Sequence, residues 1–343
     1  MNFRSVTLQQ NKGNFTLATY HLLEKRNEPG LVSLIIPCYN EEEVIPFLKK
    51  ELNVFLDSLA CPWEVILIND GSSDKTIELL VEWCKQDNRI KTISFSRNFG
   101  HQIAVTAGLD ACKGDAIVIL DADLQDPPQV IHKMIAKYRE GYDVVYGQRE
   151  ERTGESAFKR FTAWAFYRLM RSLVHKDLPL DAGDFRLLSR QFLEELRQMR
   201  EMHRYLRGMG TWVGFSQTPV KYKRAPRAAG QTKYPLNKML KFAWTAAVSF
   251  SPLPMRLSLA VGTIVAGFGF CVGIYAVVRS IIHFFFNPPG FTYNPGWATL
   301  VTLICLIGGM ILVSIGILGE YIGRIYEEIK DRPLYIVKLR KNL

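Results

Sequence analysis

Residues 116–128 read AIVILDADLQDPP, in which five apolar residues are followed by three aspartates within six positions. A short, continuous apolar run is typical of a strand that is covered on both faces of a parallel sheet. Asp121 and Asp123 follow this strand with one residue between them, so both carboxylates are placed near one point. In open α/β sheets, ligands bind outside the carboxyl ends of the strands. This stretch therefore predicts both the fold class and the position of the functional site.

The same strand pattern recurs on both sides of that stretch. Apolar runs predict strands at 31–36, 64–68, 91–95, 116–120 and 143–146, and helical spacing predicts helices at 42–59, 74–85, 100–112 and 128–140. This alternation predicts a mostly parallel sheet covered by helices on both faces. Neither a Gly-x-Gly-x-x-Gly motif after a strand nor a P-loop motif occurs, so any phosphate is bound in another way.

Two uncharged apolar runs distinguish the C-terminal part of the chain. They cover 257–278 and 297–318, with 22 residues each. A helix of that length spans about 33 Å, enough to cross a hydrocarbon core of about 30 Å. The sequence therefore predicts two transmembrane helices, which excludes a wholly soluble protein and a transporter or channel with many helices. Residues 1–30 lack the apolar stretch and cleavage site of a secretory signal.

The distribution of basic residues predicts the orientation in the membrane. Arg279 is the only Lys or Arg between the two apolar runs, whereas several follow them from Arg324 onward. By the positive-inside rule, the loop between the runs lies outside and the C-terminus lies in the cytoplasm. We therefore expect a multi-pass protein of the inner (cytoplasmic) membrane whose N-terminal domain is also cytoplasmic.

Two basic amphipathic segments predict further contact with the membrane. The segments 156–175 and 236–250 interleave aromatic and aliphatic residues with Lys and Arg. Such helices lie at a membrane interface, although a core helix with one wet face has the same pattern. The net charge of +10 fits anionic lipids and phosphorylated substrates. Nucleic acid is not expected as a partner, because no nucleic-acid-binding motif accompanies the charge.

The oxygen ligands that follow the 116–120 strand are suited to a divalent metal. Two aspartates and Gln125 offer carboxylate and amide oxygens, which favour Mg²⁺ or Mn²⁺ bridging to substrate phosphates. A helix N-cap before Pro127 is the alternative interpretation. Asp70, at the end of another predicted strand, favours the metal site. The six cysteines are scattered and predict neither a zinc site nor a disulfide framework.

Four motifs in one order resemble the family 2 glycosyltransferases of GT-A fold. They are IIPCYNEE at 35–42, NDGS at 69–72, SRNFG at 96–100 and DADLQDPP at 121–128. Within the family, the chain is most similar to polyprenyl-phosphate glycosyltransferases related to dolichol-phosphate mannose synthase, and especially to the bactoprenol glucosyltransferase type. GDFRL at 183–187 and GEYIGRIYEE at 319–328 support that subgroup. The resemblance runs from about residue 31 to residue 338.

This resemblance implies a domain plan. The expected fold class is α/β, with a GT-A, Rossmann-like nucleotide-sugar-binding domain, interfacial amphipathic helices and two C-terminal transmembrane helices. The expected divisions are an extension at 1–30, a catalytic domain at 31–235, an interfacial helix at 236–254, a transmembrane region at 255–320 and a cytoplasmic tail at 321–343. The subgroup also implies a homotetramer.

The resemblance further implies roles for individual residues. The nucleotide sugar would be held by Pro37, Tyr39, Glu41, Asp70, Asp121, Ala122, Asp123, Arg149, Arg227 and Lys233. Asp70 would lie near the base, Asp123 and Gln125 would hold the metal, and Asp121 would lie against the sugar or ribose. The lipid phosphate would be received by Lys159, Arg160 and Arg168 of the first amphipathic segment. For a basic residue taken alone, a solvated surface role is the alternative.

Asp184, in the GDFRL motif, has several interpretations. The family makes it a candidate catalytic base, beside Asp121 and Asp123 as the other catalytic carboxylates. The acceptor phosphate, however, has a second pKa of about 6 and is already mostly a dianion at neutral pH. Asp184 would then orient Arg186 or the acceptor, or form a purely structural pair with Arg186.

The resemblance implies inverting transfer of one sugar, from a nucleotide sugar such as UDP-glucose to undecaprenyl phosphate, with Mg²⁺ or Mn²⁺. The alternatives are transfer of N-acetylglucosamine, mannose or 4-deoxy-4-formamido-arabinose to the same lipid, and a processive polysaccharide synthase. Two spans are few for a synthase. A noncatalytic scaffold that binds the lipid carrier is the alternative outside enzymes, and the intact carboxylates argue against it.

Overall fold

The computed structural model describes residues 23–149, 182–223, 253–286 and 297–343. The predicted amphipathic segments, the connection between the two apolar runs and most of the N-terminal extension lie outside the described residues. The described residues form an α/β domain, two long helices and a short C-terminal strand.

Alternating strands and helices build the first half of the structure. They are β1 (Val32–Cys38), α1 (Ile45–Asp57), β2 (Trp63–Asn69), α2 (Thr76–Gln86), β3 (Ile90–Phe95), α3 (His101–Ala111), β4 (Ala116–Ile119), α4 (Val130–Arg139) and β5 (Val144–Arg149). All nine elements predicted from the sequence are confirmed in type and order, with ends that differ by a few residues.

The later elements are more varied. They are β6 (Ala182–Ser189), α5 (Arg190–Gln198), α6 (Leu206–Val213), β7 (Gln217–Tyr222), α7 (Leu253–Phe286), α8 (Trp297–Ile329) and β8 (Val337–Lys341). The strands form one sheet in the order β7-β5-β6-β4-β1-β2-β3-β8. The pairs within β4-β1-β2-β3 are parallel, whereas β6 and β8 pair antiparallel with their neighbours. The sheet is therefore parallel at its centre and mixed toward its edges.

The hydrophobic core lies on both faces of the sheet. Leu34 and Ile36 of β1 face a layer that includes α1, α2 and α4, whereas Ile35 faces a layer that includes α3, α5 and α6. Each such fully buried side chain contributes about 1.5–3 kcal/mol. Gly108 lets α3 lie close to the sheet, because a Cβ atom there would be 2.3 Å from Cγ2 of Ile35. Both faces are covered, as the continuous apolar strands predicted.

A buried charged network links the amino-terminal ends of the neighbouring strands β1, β2 and β3. Glu64 accepts hydrogen bonds from Lys91 Nζ (2.7 Å), from Ser33 Oγ (2.5 Å) and from the backbone N–H of Lys113 (2.6 Å). Burial works to raise the pKa of Glu64, but these donors outweigh it and the pKa is lowered from its ordinary value of 4.5. The ionised carboxylate thus joins β1, β2, β3 and the turn before β4.

Two long apolar helices follow the α/β domain. Leu257–Tyr275 of α7 and Leu306–Ile329 of α8 are candidate membrane spans by length and composition. The hydroxyls of Ser258 and Ser314 are 2.6 Å apart, which links the two helices. Both helices extend beyond the spans predicted at 257–278 and 297–318.

The C-terminal segment returns to the α/β domain. Its strand β8 pairs with β3, so that Arg340 lies opposite Ile93. The ring of Tyr335 stacks on Phe95 at 5.1 Å, and the side-chain amide of Asn342 donates to the carbonyl of Ile90 (2.8 Å). The sequence predicted only a tail at 321–343, because two apolar residues that alternate with basic ones are too short a pattern to distinguish an exposed strand from a tail. Pairing with an existing strand edge makes them a strand.

We expect the substitution Glu64→Ala to destabilise the α/β domain by about 3–5 kcal/mol, because it leaves a buried ammonium without its counter-ion. Unfolding of the purified protein in detergent, followed by tryptophan fluorescence, measures the change. Glu82→Ala is the matched control, since Glu82 is exposed on α2, and it should change stability by about 0.5 kcal/mol or less. Equal unfolding midpoints for the two variants would contradict the prediction.

The contribution of Glu64 should also depend on pH. A carboxyl with a lowered folded-state pKa contributes stability above its unfolded value, which for Glu is about 4.3. That contribution is lost as the pH falls through the lower folded-state pKa. The difference between wild type and Glu64→Ala should therefore shrink on acidification, and a constant difference would show that the pKa is not lowered.

Candidate active site

The loop after β1 contributes three of the predicted nucleotide-site residues. Pro37 is buried within β1, Tyr39 is 41% exposed and Glu41 is half-buried. Asn40 between them has a positive φ of 52°, which sharpens the turn. The backbone N–H of Glu41 donates to Thr76 Oγ1 (2.9 Å), so this loop is held against the start of α2. The loops after β1 and β2 thus form one surface at the carboxyl edge of the sheet.

Asp70, at the end of β2, shapes the next loop. Its carboxylate accepts the backbone N–H groups of Phe99 (2.7 Å) and Gly100 (2.9 Å), just before α3. Burial raises the pKa of Asp70 although both hydrogen bonds oppose the shift. Gly71 is required beside it, because φ is +65° and a Cβ atom would lie 2.3 Å from the carbonyl carbon of Arg97. The contacts of Asp70 in this structure are therefore with the backbone of the β3–α3 loop.

The turn after β4 carries the predicted metal ligands. The backbone N–H of Gln125 donates to Asp123 Oδ1 (3.2 Å), and Leu124 has a φ of +55°. Ala122 is buried and anchors the turn. The Oδ1 atom of Asp121 is buried and has no hydrogen-bond partner among the described residues. A buried acceptor without a hydrogen bond at this position fits a site that is completed by a ligand.

The donor set of this turn fits a hard divalent cation. Within the described residues, no cluster of three His, Cys, Asp or Glu side chains could hold a metal without other ligands. Asp123 and Gln125 can offer one carboxylate and one amide oxygen from a single turn. Mg²⁺ is commonly bound in this way, by one or two carboxylates together with water and substrate phosphate oxygens. The residues present therefore fit a metal that arrives with a phosphorylated substrate.

Asp184 lies on β6, close to the β4 turn. The antiparallel register pairs Ile119 with Arg186, which carries Asp184 toward the residues that follow β4. Arg207 Nε donates to Asp184 Oδ1 (2.7 Å), and Gln102 Nε2 donates to Asp184 Oδ2 (3.2 Å). Arg186 instead donates to the carbonyl of Gly183 (3.1 Å). Asp184 thus forms an ion pair with Arg207 of α6.

The neighbours of Asp184 keep it ionised. Burial alone would raise its pKa, but the guanidinium of Arg207 and the imidazole of His101 hold that pKa well below its ordinary value of 3.8. A carboxylate with so low a pKa is a weak proton acceptor. Its geometry suits orientation of a neighbouring group better than removal of a proton.

His101, the first residue of α3, stands between two carboxylates. Its Nε2 atom is 3.7 Å from Asp121 Oδ1 and 3.4 Å from Asp184 Oδ2. Burial opposes protonation, but the two carboxylates raise the pKa of His101 to about 9. Burial and the neighbouring acidic groups raise the pKa of Asp121 to about 6, against the effect of His101. At neutral pH the site therefore holds an imidazolium between two carboxylates.

The structure brings some predicted site residues together and leaves others untested. Asp121, Asp123, Gln125 and Asp184 lie at one edge of the sheet, and Asp70 holds the loop beside them. Arg149 ends β5, and only its backbone is described. Five predicted basic residues lie outside the described residues: Lys159, Arg160, Arg168, Arg227 and Lys233.

Sequence reasoning missed three residues of this site. His101 and Gln102 follow the SRNFG motif directly, and their position after the end of a parallel strand is a signal that could have found them. Arg207 has no comparable local signal. It reaches Asp184 from 23 residues further along the chain, on a helix whose approach only the tertiary structure shows.

Comparison with known proteins finds one matching family model and relatives that are similar over most of the chain. The family model of glycosyl transferase family 2 matches residues 33–197. An uncharacterized glycosyltransferase of Bacillus subtilis is 46% identical over 89% of this chain and 93% of its own. The SfII prophage-derived bactoprenol glucosyl transferase of Shigella flexneri is 38% identical over 90% of this chain and 97% of its own. A Mycobacterium tuberculosis glucosyl-3-phosphoglycerate synthase, solved with Mn²⁺, UDP and phosphoglyceric acid, covers 64% of this chain and 76% of its own, with 20% identity and a TM-score of 0.47.

We expect Asp70→Ala to release the β3–α3 loop, because hydrogen bonds to a charged acceptor contribute about 1.5–3 kcal/mol. Hydrogen exchange of the Phe99 and Gly100 amides should become about 10-fold faster or more, as measured by mass spectrometry. Asp74→Ala is the matched control, since Asp74 accepts the amides of Glu42 and Thr76 instead. It should accelerate exchange at those two positions and leave 96–101 unchanged. Unaltered exchange at 96–101 in Asp70→Ala would contradict the assignment.

Proposed function

This chain belongs to glycosyl transferase family 2, and on that premise we propose that it transfers a single sugar from a nucleotide sugar to a polyprenyl phosphate. The donor is UDP-glucose and the acceptor is undecaprenyl phosphate. The observation that carries the proposal is the arrangement at the sheet edge, where the Asp121–Gln125 turn and Asp184 face each other across His101. The residues of the turn bind the donor, and Asp184 orients the groups that bind the acceptor.

The reaction is a displacement at the anomeric carbon with inversion. An oxygen of the acceptor phosphate forms the new bond to that carbon, while the bond to the donor diphosphate breaks and the nucleoside diphosphate leaves. Asp123 and Gln125 would hold Mg²⁺ or Mn²⁺, which would supply positive charge at the donor diphosphate. Most of the rate comes from placing the two substrates in line and from stabilising charge.

Asp184 acts in this proposal as an orienting carboxylate. Its lowered pKa makes it a poor base, and an acceptor with a second pKa of about 6 needs no proton removed at neutral pH. Asp184 instead fixes Arg207, whose guanidinium is partly exposed at the site and has the charge to attract the acceptor phosphate. Asp121 contacts the sugar or the ribose, in agreement with its buried Oδ1 atom, which accepts no hydrogen bond from the described residues.

The remaining predicted contacts belong to the same proposal. Pro37, Tyr39, Glu41, Asp70 and Ala122 form the nucleotide pocket, with Asp70 acting through the loop that it holds. Arg149, Arg227 and Lys233 contact the donor phosphates. The lipid phosphate is received by Lys159, Arg160 and Arg168.

We propose that the protein lies in the inner membrane with its catalytic domain in the cytoplasm. The end of α8 touches the α/β domain, because His203 Nε2 is 2.7 Å from Glu327 and the backbone N–H of Met202 donates to Glu328 (2.8 Å). Together with the pairing of β8 and β3, these contacts support one common side for the C-terminus and the catalytic domain. A homotetramer is proposed as the assembly, and the glycines of α7 and α8 with open space around them would permit close helix packing.

Transfer should be measured with purified protein in detergent, undecaprenyl phosphate, Mg²⁺ or Mn²⁺, and a panel of radiolabelled nucleotide sugars. We expect label from one donor, UDP-glucose, to enter the lipid phase as a single sugar. A chelator should abolish the transfer, and Asp123→Ala should lower it by about 100-fold or more, since it removes a metal ligand. Asp57→Ala, at the exposed end of α1, is the matched control and should transfer at the wild-type rate.

Other outcomes of this transfer assay would assign a different function to the protein. Label from N-acetylglucosamine, mannose or 4-deoxy-4-formamido-arabinose donors would change the sugar and keep the reaction. Growing polymer would indicate a processive synthase. No transfer from any donor, together with no binding of nucleotide, would replace the enzyme by a scaffold that binds the lipid carrier.

The orientation has a separate test. Fusion of green fluorescent protein after Leu343 should give fluorescent cells, and fusion of alkaline phosphatase at the same position should be inactive, because the C-terminus is cytoplasmic. A phosphatase fusion within 287–296, between the two spans, is the control and should be active. The reverse pattern would contradict the proposed orientation.

A further inference from the structure

We propose that His101 is a positioning residue that holds Asp121 and Asp184 together as one unit. The inference rests on the proposed function, in which Asp121 faces the donor and Asp184 faces the acceptor. His101 is not part of the residue set that the motifs predict, and it acts here through the two carboxylates.

The position of the imidazole is determined by the backbone that precedes it. Gly100 has a φ of +101°, and its N–H group is held by Asp70 together with that of Phe99. Helix α3 therefore begins at a fixed place, with His101 directed toward the β4 turn and β6. The imidazole is thus placed by the β3–α3 loop that Asp70 holds.

His101 is the ion-pair partner that the two carboxylates share among the described residues. Asp121 lies 3.7 Å away through Oδ1, the same atom that has no hydrogen bond in the described part of the chain. Asp184 lies 3.4 Å away through Oδ2. Two half-buried carboxylates repel each other, and the cation between them offsets that repulsion. Removal of the imidazole therefore changes the orientation of both carboxylates.

Asp184 keeps further support when His101 is removed. Arg207 and Gln102 still donate to it, and the Oε1 atom of Gln102 also accepts the backbone N–H of Leu206 (3.1 Å), at the start of α6. The fold should therefore survive a substitution at His101. The expected loss is in the relative placement of donor and acceptor, which lowers kcat, rather than in binding of the nucleotide.

Initial rates of sugar transfer test the inference in His101→Ala and His101→Gln, with UDP as the probe of nucleotide binding. His101→Ala should lower kcat by about 10- to 100-fold, a loss typical of a misplaced reacting group, with donor KM and UDP affinity changed by about threefold or less. His101→Gln should recover part of the loss, because its amide can still donate to a carboxylate. His132→Ala is the matched control, since His132 contacts Phe55 and Ser58 of the α1 region, and its kcat should equal that of wild type.

The coupling between His101 and Asp184 gives a second readout. In His101→Ala combined with Asp184→Asn, kcat should fall little below that of Asp184→Asn alone, because residues that act as a unit are not additive. A wild-type kcat in His101→Ala, equal losses of kcat and UDP affinity, or additive losses in the double variant would each overturn the inference.

A measurement without substrate separates this inference from the proposed function. The shift in unfolding midpoint of the double variant should be smaller than the sum of the two single shifts. If wild type transfers no sugar from any donor, the proposed function fails, and this cycle still decides whether His101 and Asp184 are coupled. Additive midpoint shifts would then overturn the coupling itself.

Discussion

Parallel pairing of β4, β1, β2 and β3 is the constraint on which the site depends. Because these strands point the same way, their carboxyl ends meet at one edge, and the loops that carry Tyr39, Asp70 and Asp121 converge there. Asp70 brings the β3–α3 loop to the same edge, because its carboxylate accepts two backbone amides just before α3. The buried Glu64–Lys91 network holds the same strands together at their amino-terminal ends, away from the site.

The antiparallel strand β6 completes the site from the opposite direction. Its register with β4 brings Asp184 toward the turn that carries Asp121 and Asp123. The result is an alternation of charge from Asp121 through His101 and Asp184 to Arg207. The two cations beside Asp184 keep its carboxylate ionised, and this explains why Asp184 is better suited to orient its neighbours than to accept a proton.

The chain that leaves the second apolar helix also supports the site. Strand β8 pairs with β3, and the ring of Tyr335 stacks on Phe95 near the start of the loop that Asp70 holds. Glu327 and Glu328 contact the connection that leads to α6 and Arg207. A domain proposed to act on a lipid phosphate is thus joined to the two long apolar helices by contacts at β3 and at the connection between α5 and α6, in addition to the covalent chain.

The local sequence pattern determined the α/β class, the order of strands and helices through β5 and the two apolar helices. It also determined the sheet edge at which the carboxylates gather. Hydrophobic periodicity and strand ends can be predicted in this way because they are properties of neighbouring residues. The resemblance of the motifs identified the family. Only the tertiary structure decided that AGDFRLLS and VKLRK are strands, that Asp184 pairs with Arg207, and that His101 stands between two carboxylates. Gln102 and Asp184 are 82 residues apart in sequence, and no periodicity relates residues at that distance. Their contact follows from the order of strands in the sheet, which is decided by packing across the whole domain.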